Sequence, residues 1–428
     1  MAQVANVRAQ QLVPMKISTR FGIACAVVVA LLGLVSLVVY YLVADVPPPD
    51  LSDLEVKRRV VTPADNGFLL VDISEADFHQ ETESALAVLS EGETWDPDEA
   101  RDILQKNQAV LDLFDQCLEK PDFQIREHNP SEQMVPYWRA WTTLSRLIKQ
   151  RATLALEEGR SNAAVEAGFT LGEFGRRIQN SQGVLLTHMI GAAFERRAVG
   201  LLTRAILAGG HDVPALKKVI QRLGAWRDGD AALKDSLRGE FWVGAWPVAN
   251  GQLVGSDWAH LLIAENDTMR RLADVFRTRI ANVSRRPSER QAIDEEALTG
   301  GFQNFVGRQI VAHFVPGLDW VLPRRDRARL RVEIARVVAG LRGHVLEHGK
   351  LPELLDELVP HYFVRVPVDI FDGKPLRYSR EKRIVYSVGE DGVDSGGATD
   401  SAEPGWYLEH DDPTYQLDAE IEKVAGEE

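Results

Sequence analysis

His344, Glu347 and His348 form an H-x-x-E-H pattern, the arrangement in this chain whose residue types and spacing come nearest to chemistry. Histidines four apart share one face of a helix, so both imidazoles could hold one zinc ion with Glu347 beside them as general base. A third ligand would have to come from Glu353, Asp356 or Glu357. The pattern is short, however, and His348 runs straight into Gly349, where a helix is expected to end. A histidine there also complements the negative end of the helix dipole, so a structural role accounts for the same residues. Cys117 is a possible nucleophile, but Phe114 and Leu118 beside it mark an apolar helix face and a packed thiol. Glu240, Asp257 and Glu265 could supply a carboxylate pair for glycan chemistry. Acids are too common in this chain for that to carry weight. No G-x-S-x-G elbow, phosphate-binding G-x-x-x-x-G-K-[ST] loop or Rossmann fingerprint is present.

The elements around these residues begin with a stretch of 24 residues without a charge, Phe21 to Ala44. A helix needs roughly 20 apolar residues to cross a bilayer, and Tyr40 and Tyr41 stand where headgroup-level aromatics belong. Arg8, Lys16 and Arg20 precede the span with no acid among them; Asp45, Asp50 and Asp53 follow it. The positive-inside bias then keeps the N-terminus in the cytoplasm and exports the rest. A cleaved signal peptide would have a shorter apolar core, about 7 to 15 residues, and a small residue at both ends of the cleavage triplet. Leu42-Val43-Ala44 lacks the first. The expectation is an uncleaved anchor in a bacterial cytoplasmic membrane. Cys25 inside the span reads as a packed apolar residue.

Three of the 49 cations lie before the span and all 63 acids after it, so the exported bulk is more acidic than the chain's net −14. Nucleic acid is therefore not an expected partner, because phosphate contacts rely on Lys and Arg. With Cys117 the sole exported cysteine, no internal disulfide and no multi-cysteine metal site can form. The bulk must stand on its core.

That bulk reads as helical. Pro47-Pro48-Pro49 make a stiff spacer. Asp96-Pro97 starts a helix that Lys120-Pro121 ends, with Ile103, Val110, Phe114 and Leu118 on one face. Helices follow over Tyr137 to Glu158, Asn162 to Ile178 and Gly183 to Ala208, with another from Pro214. The hairpin around Gly159 is similar to a tetratricopeptide pair, but no 34-residue period repeats it. Arg238 to Trp258 sets Phe241, Trp242, Trp246 and Trp258 among Gly and Pro, and reads as a buried crossing loop, the commoner fate of such aromatics, or as a lipid- or peptide-binding lip. Asn266 to Ile280 is helical again; Gly300 to Leu322 is apolar but broken by Pro316. Arg324 to His348 is an amphipathic helix with Leu330, Ile334, Val337, Val338, Leu341 and Val345 on one side. A short helix and strands over Val364 to Ile370, Leu376 to Ser379 and Ile384 to Val388 come next.

From Arg331 to Gly397 the chain resembles the globular end of the major pseudopilins of type II secretion. The residues that carry this are Gly349 and Pro352 after a long helix, Leu358-Val359, then Pro367, Asp369, Phe371, Gly373, Pro375 and Tyr378. Ser387, Gly389, Asp391, Gly392, Gly396 and Gly397 complete the series. The resemblance implies a calcium ion in the last loop, with Ser387 and Asp391 at matching positions and Asp394 and Asp400 as further candidate oxygen donors. Calcium takes six to eight hard oxygens, which a glycine-rich acidic turn can offer. The sequence departs from the family at SAEPGWYLEHDD, which replaces the usual closing ligand run. It also lacks a Gly-Phe processing site, a Glu five residues beyond it, and a span leading directly into the globular part. It is therefore not expected to assemble as a pilin subunit.

The expected architecture is mainly α. A cytoplasmic N-terminus (1–20), a transmembrane helix (21–44) and a Pro-rich linker (45–60) lead to an irregular helical-hairpin ectodomain (61–322). A small C-terminal α+β module with antiparallel strands (324–400) and an acidic, solvated tail (401–428) follow. The expected function is protein–protein interaction or assembly with other envelope proteins, in a secretion-related setting, without catalysis. The alternative is a membrane-tethered hydrolase built on His344, Glu347 and His348.

Overall fold

The computed structural model describes residues 19–91, 95–126, 137–227, 229–250, 263–397 and 404–422. Thirteen helices and four short strands make up its regular elements. The first, α1 (Thr19–Val43), carries an apolar window from Ile23 to Leu42 with mean hydropathy 2.8 and no part buried against the rest of the chain. An apolar helix with every side exposed is stable where its solvent is itself apolar.

The body begins with α2 (Thr82–Glu91), α3 (Pro97–Lys106) and α4 (Gln108–Glu119). The single helix expected after Asp96 is broken in two at Asn107. This side chain is buried, its amide donating to Ile103 O and Thr82 Oγ1 at 2.8 Å and its oxygen accepting from His79 N at 3.0 Å. Bonds to a distant turn outcompete the local helix at that position. The hairpin of α5 (Trp138–Glu157) and α6 (Ser161–Gln179) turns at Gly159, whose φ of 70° is the left-handed geometry glycine adopts without strain.

α6 lies along α7 (Leu185–Leu207). A Cβ on Gly175 would fall 2.6 Å from Gly191 O, and one on Gly191 would fall 2.4 Å from Gly175 O, so the two backbones meet where neither has a side chain. α8 (Val213–Gly224) follows, N-capped by Asp212. α9 (Asp230–Ala249) contains most of the aromatic run expected as a loop; Gly239, Gly244 and Pro247 hid a helix whose Phe241 is buried edge-on against Phe276. Trp258 and Asp257 lie outside the described residues.

α10 (Glu265–Val283), α11 (Glu295–Thr299) and α12 (Phe305–Gly317) lead to α13 (Val321–His348), the longest helix. Its apolar stripe is wider than the sequence pattern suggested. From Leu330 to Val345 almost every residue is buried, including Glu333 and Arg342. A helix enclosed on all sides is a central pillar, and α13 packs on α7, α8 and the terminal sheet.

The sheet is antiparallel throughout, in the order β1 (Arg377–Ser379), β2 (Ile384–Tyr386), β4 (Thr414–Gln416), β3 (Gly405–Tyr407). The strand expected over Val364 to Ile370 is reduced to one bridge, Val368 to Pro375. The chain expected as a solvated tail supplies two strands, and β4 is the inner one, with Thr414, Tyr415, Leu417 and Ile421 buried. The acidic composition of this segment concealed those apolar positions.

Two apolar cores result. The larger runs from Phe68 to Trp226 and resumes from Leu330 to Ile421; the smaller gathers α9, α10, Val311 and the first turn of α13. The division expected near residue 323 therefore falls inside one helix, whose start belongs to the small core and whose remainder joins the terminal sheet to the helical layer.

The stretch expected as a stiff Pro-rich spacer is bonded to the body. Asp45 accepts the N–H groups of Asn266 and Asp267 at 2.9 Å, capping α10 from 221 and 222 residues away in sequence. Asn304 N–H donates to Leu42 O at 2.7 Å, in the last turn of α1. Asn304 is itself buried at φ 51° and bonded through its amide to Ala264, Asp267 and Thr268. Arg277 holds Asp53 and the Asp50 carbonyl, both at 2.7 Å.

Candidate functional site

The H-x-x-E-H residues do lie on one helix end, but each is engaged within the protein. The His344 and His348 rings stack at 4.1 Å, and His348 Nδ1 lies 3.0 Å from His344 O. Glu347 accepts the Tyr362 hydroxyl at 2.6 Å, which draws its carboxyl below the usual range. Of the possible third ligands, Glu353 pairs with Arg380, and Glu357 accepts the Glu353 and Leu354 N–H groups. Among the described residues no group of three or more His, Cys, Asp or Glu is placed to hold one metal ion.

The expected calcium donors that lie among the described residues each have a partner within the chain. Ser387 is fully buried and donates to Asp369 Oδ1 at 2.8 Å, and Asp391 accepts Val393 N–H at 3.0 Å. Asp394 accepts Gly396 N–H and lies 3.6 Å from Arg377 Nε. Asp400 is outside the described residues. Asp412, which no sequence pattern singled out, comes closer to the requirement. It is buried, its Oδ2 accepts Ser395 and Gly397 N–H at 2.9 and 2.8 Å, and its Oδ1 has no hydrogen-bond partner among the described residues.

Cys117 is fully buried, and burial pushes its thiol up to about 12, which removes the thiolate a nucleophile requires. Glu240 accepts Leu185 N–H at 3.2 Å at the start of α7, with its carboxyl raised by burial. Glu265 is exposed in the first turn of α10.

A sizeable concavity lies where no motif pointed. A cleft of about 790 Å³ opens between α5, α7 and the terminal sheet. Its apolar surface is Leu201, Leu207, Tyr415, Ile421 and Trp406, the last edge-on to Tyr415 at 4.7 Å between ring centres. Arg146, Lys149, Arg197 and Arg204 rim it, and Asp418 is the one acid among the described lining residues. Arg146 pairs with Glu83 at 2.8 Å, and Arg197 donates to Ser145 Oγ. Lys149, Arg197 and Arg204 have no carboxylate within ion-pair distance among the described residues. Partial burial, then the charges of Arg204, Arg197 and Arg146, draw the Lys149 ammonium below its ordinary range. Arg197 is lowered in the same way by burial and by Arg196 and Arg146. Like charges held together without counter-charge favour an incoming anion.

A second cleft, about 470 Å³, lies on the other side of α7 against α13. His188 and Glu195 line it, both buried. Burial holds the His188 imidazole down at about 4 despite a hydrogen bond with the Gln179 backbone, and its Nδ1 has no partner among the described residues. Burial raises the Glu195 carboxyl despite Arg176 nearby and a 2.9 Å bond from Gln179. Arg331, drawn down to about 10 by burial and then by Arg196, reaches from this cleft to within 5.9 Å of the Trp406 ring.

The basic stripe was visible in sequence as Arg146 with Lys149 and Arg197 with Arg204, at helical spacing. Such a stripe ordinarily marks a solvated face. Only the return of β3 and β4 roofs it. The chain matches no protein-family model, no curated protein and no solved structure.

Proposed function

We propose that this chain is a single-pass protein of a bacterial cytoplasmic membrane, N-terminus inside, whose exported bulk binds an acidic segment of another envelope protein. The uncompensated cations Lys149, Arg197 and Arg204 over an apolar cleft carry this reading. Such a site suits a peptide presenting carboxylates with an apolar side chain between them. The likeness of residues 331–397 to pseudopilin ends is the reason to seek that partner among secretion or pilus-like assemblies.

The test is fluorescence anisotropy of a labelled Asp/Glu-rich peptide containing one aromatic, with the full chain in detergent. Hydrogen bonds to charged groups contribute about 1.5–3 kcal/mol each. The double variant Lys149→Ala, Arg204→Ala is therefore expected to weaken binding by more than about tenfold, and added salt to weaken it further. Equal affinity in both proteins overturns the proposal. Protease added to spheroplasts should digest the bulk; its survival would reverse the orientation.

For the terminal loop we propose that calcium, if bound, uses Asp412 Oδ1. A calcium-dependent rise in melting temperature that is lost in Asp412→Asn supports this. Identical melting in calcium and in chelator removes the ion.

A further inference from the structure

The bond from Asn304 N–H to Leu42 O, 2.7 Å long, places the Gly301–Phe305 turn against the last turn of α1. Leu42 ends the 20-residue apolar window, about 30 Å of helix, so it stands at the border of hydrocarbon and headgroups if α1 spans. Anything bonded to it stands at that depth too. Two residues of this turn are large, apolar and without cover: Phe302 is 84% exposed and Phe305 56%. Tyr40 and Tyr41 on α1 are also largely exposed at the same level.

We infer that Phe302 and Phe305 insert into the interfacial layer of the outer leaflet, joining Tyr40 and Tyr41 in one aromatic belt. The occupant of this apolar edge is the bilayer, because the edge is continuous with the helix that crosses it. Aromatic rings at headgroup depth are favourable, whereas two adjacent Phe rings in water are not. The turn is also held in shape before it meets lipid. Gly301 and Asn304 adopt left-handed backbone, Arg308 donates to Gln303 O at 2.7 Å and to Gly300 O, and Asn304 is bonded on every side. Little conformational entropy is left to lose on insertion. With the Asp45 cap of α10, the edge makes a second foothold beside α1, so the body sits against the membrane at a fixed tilt.

This inference rests on the anchor reading of α1, and the experiment separates the two. Single-cysteine variants at Gly33, Val60, Phe302 and Phe305, made in a Cys25→Ser chain, carry a nitroxide in the full protein reconstituted into phosphatidylcholine–phosphatidylglycerol vesicles. Cys117 is buried and does not label. Power saturation with oxygen and a water-soluble nickel chelate reports depth. A deep label at 33, an aqueous label at 60, and oxygen-to-nickel ratios several-fold above the residue 60 value at 302 and 305 are expected. Labels at 302 and 305 as aqueous as residue 60, with residue 33 deep, overturn the insertion and leave the anchor standing. An aqueous label at 33 overturns both.

Discussion

At the residue scale, the buried groups decide how this protein responds to acid. His188 protonates near 6.5 in an unfolded chain but remains neutral in the folded one down to about 4. Its folded pKa is depressed, so its contribution is intact above pH 6.5 and is lost as pH falls from 6.5 toward 4, where the unfolded state binds the extra proton. Stability over that window should fall by at most about 1.4 kcal/mol per pH unit from this group. In His188→Asn, urea midpoints at pH 7 and pH 4.5 should lie closer together than in the parent; an unchanged gap would remove His188 as the cause. Asp267 acts lower on the scale. Burial pushes its carboxyl up, but bonds from Arg271, Asn304 and Arg270 outweigh burial and hold it at about 2. Its contribution is present above pH 4 and drains between 4 and 2. The junction of α10 with the end of α1 should therefore hold through the window in which His188 acts and loosen only below about pH 4, seen as loss of amide-exchange protection at Asn304 and Asp267 there and not before.

At the scale of elements, the contact of α6 with α7 depends on two residues without side chains. Gly191→Ala would drive a methyl group to 2.4 Å from Gly175 O, a backbone atom that cannot swing away. Overpacking of this kind costs about 1–3 kcal/mol, and a melting curve should show it. Gly200→Ala on the same helix, where nothing lies within 4 Å of the new carbon, should be neutral or stabilising. The return of the C-terminal segment is as consequential. β4 is the inner strand, and removing residues 404–422 would uncover Val385 and α13 while leaving β2 as an open edge. That truncation should abolish cooperative melting. If the chain melts as before, the sheet is ornamental to the core.

At the scale of the molecule, charge and shape are distributed in a way no count reveals. A chain of net charge −14 gathers Lys149, Arg197 and Arg204, without a carboxylate partner among the described residues, in one cleft, so an acidic segment would be repelled by the general surface and attracted locally. The apolar helix α1 is not loosely tethered either, since Asp45 and Asn304 fasten the body to its end. Asp45→Ala should cost about 0.5–2 kcal/mol as a lost cap, and should also widen the spread of distances between spin labels on α1 and α10.

The sequence by itself determined the apolar span and most helix bounds. Those features are local: hydrophobic run length, 3.6-residue spacing, Asp-Pro starts and glycine stops act within a few residues. It also marked β1 and β2, where apolar strands are bounded by turns. The break at Asn107, the burial of α13 on every side, the place of β4 and the cationic cleft were decided by tertiary structure. In each of these a residue takes its role from a partner some 25 to several hundred positions away, and periodicity holds no information about which distant segment will close over a helical face. The H-x-x-E-H pattern illustrates the same limit, because spacing put the histidines together while Tyr362 and the helix backbone decided how Glu347 and His348 are used.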